Sequence, residues 1–238
     1  MKRRLMFPVF LVFAFSGCGE HAPVSVLLTP KAYGTQIVEQ SGGKQAGGVG
    51  ARLPEPVVVQ VNGADGNSVA GALVVFSGDG VIFTPTRVLT DENGQVSATV
   101  QLGSIHGSYP FIAQTPKQGG GIADVELRGI ALGYQEKVGK QVSDKYCRMC
   151  HDPESTTERV SNFENLAQPA PHVFSDGTVL NSISDADLYK IIADGGPAVG
   201  KSPQTPAYRN TLASSEIKSV IAYMRAIADP PYPPQTAK

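Results

Sequence analysis

The chain has 238 residues, long for one domain and comfortable for two. Its 41% hydrophobic and 17% charged content belongs to a globular polypeptide rather than a disordered one. The formal net charge is −1 and no basic stripe runs through the sequence, which argues against nucleic acid as a partner.

The first segment is a leader. Met1-Lys2-Arg3-Arg4 is a charged start, and Leu5 to Phe15 is an apolar run interrupted by Pro8. The run is too short to span ~30 Å of hydrocarbon as a helix, so residues 1–17 read as a signal peptide. Without Lys2, Arg3 and Arg4 the balance is 17 basic against 21 acidic side chains. Phe15-Ser16-Gly17-Cys18 resembles a bacterial lipobox, with phenylalanine where leucine is usual. That resemblance implies lipidation of Cys18 and an exported protein, periplasmic or at the cell surface, anchored to a bacterial membrane through its acyl chains. Gly19 after Cys18 carries no retention acid, so by family analogy the outer membrane is preferred. The other reading is an ordinary cleavage site that contains a cysteine.

From residue 18 to 132 the pattern is of short strands separated by turns. Val24 to Leu28 and Gly34 to Val38 are apolar enough for strands, and the Gly-rich stretch Ser41 to Gly50 reads as a loop. Val57 to Val61 is a continuous β-branched run, expected of a sandwich-core strand. Ala72 to Phe76, Val81 to Phe83, Arg87 to Thr90 and Gln95 to Leu102 follow, the last two flanking the turn Asp91-Glu92-Asn93-Gly94. Tyr109 to Gln114 and Ile122 to Ile130 complete seven to nine strands at sandwich spacing. Asp65, Asp79 and Asp91 read as turn residues, and His106 as a loop residue.

Three blocks in this half carry a resemblance: Leu53-Pro54-Glu55-Pro56 leading into Val57 to Val61, Asn67-Ser68-Val69-Ala70-Gly71 leading into Ala72 to Phe76, and Thr90-Asp91-Glu92-Asn93-Gly94-Gln95. Together they resemble the bacterial Ig-like domain of the invasin/intimin type. The resemblance implies a β-sandwich with a spacer or adhesion role and no activity.

Cys147-Arg148-Met149-Cys150-His151 is the chemically distinctive stretch. As C-x-x-C-H it is the attachment signature of a c-type haem. Two cysteines three apart lie on one helical face, where each can bond a vinyl group on one porphyrin edge. His151, four from Cys147, can reach the iron as axial ligand. Three other readings compete. A zinc half-site needs a second pair, and neither another cysteine pair nor an H-x3-5-H pair exists among His21, His106, His151 and His172. A redox dithiol would sit in a βαβ context that is missing here. A structural disulfide across so short a loop is the third.

Residues 133–238 read as helical, ending in a short Pro-rich tail. Tyr134 to Cys150 is expected as one helix. Ser184 caps a second with Leu188, Ile191 and Ile192 on its apolar face, and Ser214 starts a third bearing Ile217, Val220, Ile221, Met224 and Ile227. Gly139, Ala170-Pro171, the run Asp187 to Gly196, and Ile221-Ala222-Tyr223-Met224-Arg225 join the motif in a pattern that resembles a mono-haem cytochrome c. The expected fold is therefore an all-β Ig-like sandwich followed by an all-α cytochrome c fold. The resemblance implies packing of the first and last helices through Tyr223, with Ser143 where an aromatic partner is usual. It also implies that Pro169 or Pro171 offers a carbonyl to His151 Nδ1.

In that family an axial methionine precedes the last proline of the segment matching Gly195 to Pro206, and here the residue is Thr205. Three outcomes follow: an open or water-bearing distal side, ligation by His172, or ligation by Met149 or Met224. His172 reads more simply as a loop histidine, and Met224 as core. The expected protein carries one covalent haem c on Cys147, Cys150 and His151, and passes electrons to a redox partner protein rather than acting as an enzyme. The alternative is a five-coordinate haem module for small ligands or peroxidase-like chemistry.

Overall fold

The computed structural model describes residues 28–152, 161–166 and 170–233. The leader, Cys18 and most of the first expected strand lie outside the described residues.

Nine strands build the first half. β1 (Gln36–Ser41), β3 (Val57–Asn62), β7 (Gln95–Gln101) and β5 (Ile82–Thr84) form one sheet in the order β1-β3-β7-β5. β2 (Ala46–Gly48), β9 (Ile122–Leu132), β8 (Gly107–Pro116), β4 (Leu73–Ser77) and β6 (Arg87–Leu89) form the other, in the order β2-β9-β8-β4-β6. All pairings are antiparallel except that of β2 with β9. This is an Ig-like β-sandwich. Its core is a single apolar layer in which Val57, Val59 and Val61 meet Val74, Phe76 and Val100, all at most 1% exposed. Phe83 links the layer by stacking on Phe76 and meeting Phe111 edge-on.

Two details differ from expectation. The β-branched run of β3 alternates buried and half-buried positions, so only every second residue faces the core. The Gly-rich segment after β1 is not all loop, because Ala46–Gly48 adds an edge strand beside Ile130 to Leu132. Asp91 accepts from the amides of Asn93 and Gln95, and Gly94 takes φ +71°, as the turn requires.

The chain enters the sandwich beside Asn62, where Gln36 pairs. It leaves at the opposite end, where Leu132 accepts from Val49 and Gly50 bonds Gly103. The ten-residue β8–β9 ladder sets that separation at ~33 Å.

After the single residue Gly133 come α1 (Tyr134–Tyr146), α2 (Arg148–His151), α3 (Gly177–Leu180), α4 (Asp185–Asp194) and α5 (Ser214–Ile227). The expectation of a separate all-α cytochrome c fold is corrected here: the chain is a mixed structure of two sheets with five short α-helices. Among the described residues the core cluster of the helical half holds nine buried apolar residues against eighteen in that of the sandwich, and two of its helices are single turns. It also leans on the sandwich, through Lys44–Asp229 at 3.0 Å and a shared cleft beside β2 and β9. The resemblance to a cytochrome c implied an autonomous helical domain, but a short motif does not by itself specify a fold.

Within the helical half, α1 crosses α5 at very close range. A Cβ on Gly139 would lie 1.8 Å from the Ser219 carbonyl oxygen and 2.9 Å from Tyr223 Cβ, so only glycine permits the crossing. Ser143, 1% exposed, continues this close seam one turn on. Ile217, Val220, Ile221 and Met224 fill the interior side of α5. Arg225 clamps the far end, bonding the carbonyls of Leu180 and Ile183, pairing with Asp185 and stacking on Tyr232.

Candidate cofactor-attachment site

The expected single helix through the motif is broken. α1 ends at Tyr146, and Cys147, at φ −116° and ψ −37°, is both its C-cap and the N-cap of α2. The amides of Cys150 and His151 both bond the Cys147 carbonyl, at 3.1 and 3.0 Å. The break therefore leaves Cys147, Cys150 and His151 on one tight turn, as a pair of tethers and a ligand on one prosthetic group require.

Both cysteines are free thiols; Cys147 is buried and Cys150 half-buried. Burial, with Cys150 and Asp144 nearby, pushes the Cys147 thiol up to about 11, partly offset by the Ser143 hydroxyl. His151 Nδ1 lies 2.7 Å from the carbonyl oxygen of His172. A carbonyl only accepts, so Nδ1 carries the proton and donates, which leaves the Nε2 lone pair free to ligate. Burial holds the imidazole below the usual histidine range and so favours the neutral, ligating form. Phe174 stacks on the imidazole at 4.5 Å between ring centres and restrains its plane.

The orienting carbonyl is that of His172, not of Pro171, and Pro169 lies outside the described residues. The His172 main chain thus stands on the Nδ1 side of His151, away from Nε2. Met224 is 3% exposed within the core and Met149 is 53% exposed on the surface. Thr205 sits in a closed loop, its carbonyl accepting from Gly196 at 3.0 Å. Tyr208, three residues on, donates to the Tyr146 carbonyl at 3.0 Å and packs edge-on against that ring. Burial, with the two cysteines close by, raises the Tyr208 hydroxyl above its ordinary range.

A haem fits this donor set. One imidazole with its outer nitrogen already bonded suits a metal that brings four ring nitrogens of its own, and two thiols on the same turn suit covalent tethering. Among the described residues no group of three or more His, Cys, Asp and Glu side chains is placed to hold a metal ion. Zinc therefore finds no second half-site there.

Sequence reasoning missed the roles of His172, Phe174 and Tyr208. None has a periodic signal, because each reaches the motif from a distant loop. A fourth group, Asp144, Arg148 and Asp152, was legible in its spacing of four but was not read.

No family model matches this sequence, and no curated protein matches it. Among solved structures, the D00-D0 domain of intimin is similar at 16% identity over 44% of this chain and 50% of that one, with a TM-score of 0.31. The D0-D1 domain of intimin is similar at 18% identity over 42% and 49%, also with a TM-score of 0.31. Invasin, described as a bacterial integrin-binding protein, is similar at 20% identity over 41% of this chain and 19% of its own, again at 0.31. The chain thus spans about half the length of these intimin structures. Among the described residues no helix is long and apolar enough to cross a membrane.

Proposed function

We propose that this chain is an exported electron carrier holding one covalent haem c, with thioether tethers at Cys147 and Cys150 and His151 as axial ligand. The observation that carries the proposal is the single turn that gathers two free thiols and an imidazole whose Nδ1 is already committed to the His172 carbonyl. When bound, the haem supplies a one-electron couple. The chain's own residues tether it and fix the imidazole plane through His172 and Phe174.

In this reading Cys18 is lipidated and the sandwich is a spacer. The chain enters it at one end and leaves at the other, which holds the haem about a sandwich length from the membrane. The partner is a redox protein of the periplasm or cell surface. The test is covalent haem staining after denaturing electrophoresis of the periplasm-matured protein, with absorption spectra in both oxidation states. Colourless protein with two alkylatable thiols ends the proposal.

A second reading, small-ligand binding or peroxidase-like chemistry at an open sixth position, is favoured by one observation. Thr205 occupies the position where the resemblance calls for methionine, while Met224 is core and Met149 faces solvent. A carbon monoxide difference spectrum of the reduced protein separates the two readings. A strong response supports an open distal side, and a weak one a six-coordinate carrier.

A further inference from the structure

Charged side chains bracket the attachment turn on both sides. Arg148, between the two cysteines, reaches back to Asp144 on α1, with Nη1 3.2 Å from Oδ1. It also reaches forward to Asp152, the residue after His151, with Nε at 3.0 Å and Nη2 at 2.9 Å from Oδ2. The three side chains are 26–34% exposed, so their pairing is screened but not fully solvated. Lys140 occupies the other oxygen of Asp144 at 2.6 Å.

The two contacts of Arg148 span the point where the helix breaks. α1 and α2 share Cys147 as C-cap and N-cap, and a helix of one turn has little stability of its own. A planar fork of five donors can hold carboxylates on both sides of the break, whereas an ammonium at the same place binds as a single point charge.

We propose that Arg148 is the positioning residue of the attachment turn: its guanidinium bridges α1 to the end of α2 across Cys147, and its charge offsets the carboxylates flanking His151. This rests on the haem reading above for its redox consequence. Its structural consequence holds with or without haem.

The test uses the full chain as wild type, Arg148→Lys and Arg148→Gln. In the haem-free protein, hydrogen exchange is followed at the amides of Cys150, His151 and Asp152, which bond the carbonyls of Cys147 and Arg148. Arg148→Gln is expected to speed exchange there by roughly two- to fivefold, with amides in the sandwich unchanged. Arg148→Lys is expected to speed it too, because lysine cannot bridge.

In the matured protein, Arg148→Gln lowers the reduction potential, since removing a positive charge near the ligand favours the ferric state, and the shift shrinks in high salt. Arg148→Lys keeps the charge and hence a potential near wild type. Equal exchange rates in all three proteins overturn the bridging role, and equal potentials in wild type and Arg148→Gln overturn the charge role. A wild type without covalent haem sinks the haem reading alone, and the exchange experiment still decides the bridge.

Discussion

The two halves of this molecule are stabilised by different means. Among the described residues the sandwich closes a core cluster of eighteen buried residues between two sheets whose backbone groups pair in ladders. The core cluster of the helical half has nine, and Arg225 ties its elements together through the carbonyls of Leu180 and Ile183. The first half is self-sufficient by burial. The second has the smaller core, so a large apolar group held inside it would add buried surface to that half. The candidate site therefore sits in the half with the smaller core.

The sharpest way to break this contrast is to remove the tethers. Cys147→Ser with Cys150→Ser is expected to abolish covalent haem, lower the melting temperature of the helical half and leave the sandwich transition in place; calorimetry of the two transitions checks it. A single coincident loss of both transitions would show the halves to be one cooperative unit.

Next come the interiors. Phe76→Ala empties one end of the aromatic row Phe76-Phe83-Phe111 and is expected to cost about 3–5 kcal/mol in the sandwich. Gly139→Ala forces α1 away from Ser219 and Tyr223, and is expected to cost about 3 kcal/mol in the helical half alone. Denaturant titrations followed separately in each half distinguish the two.

A smaller effect concerns pH. In the haem-free protein the Cys147 thiol is raised to about 11, so its alkylation is expected to be slow at neutral pH and to rise about tenfold per pH unit up to that value. The sign follows for stability. The unfolded thiol ionises first, so the haem-free helical half is favoured below the ordinary thiol range and loses stability as pH climbs from there towards 11. Mass-spectrometric labelling of Cys147 against pH checks it, and a rate that levels off near pH 9 would contradict the burial.

The smallest effect lies between the halves. Lys44→Ala removes an exposed ion pair with Asp229, with side chains 72% and 43% exposed, and is expected to cost at most about 1 kcal/mol. A larger cost would mean that the contact between the halves, rather than each core, holds the molecule together.

Much of the sandwich was legible from its residues. Alternating and β-branched runs placed most strands to within a few residues, and Asp91 to Gly94 announced its turn, because these signals are local. β2 was not legible: a three-residue edge strand of Ala and Gly has no apolar signature and exists only because β9 offers it a partner. In the helical half, Ser184 capping Asp187 and the apolar face of α5 were likewise readable. The break at Cys147 was not, since no proline or glycine marks it in the sequence.

What the sequence determined by itself was the chemistry: which side chains carry thiols and imidazole, and that a spacing of three and four brings them to one face of a turn. Only tertiary structure decided how that turn is held. The His172 carbonyl, the Phe174 ring and the Tyr208 hydroxyl arrive from loops tens of residues away, and the helices settle against a sandwich edge instead of forming a domain of their own. Local spacing is covalent and reads directly from the chain. Contacts between distant segments depend on how the whole chain buries its apolar surface.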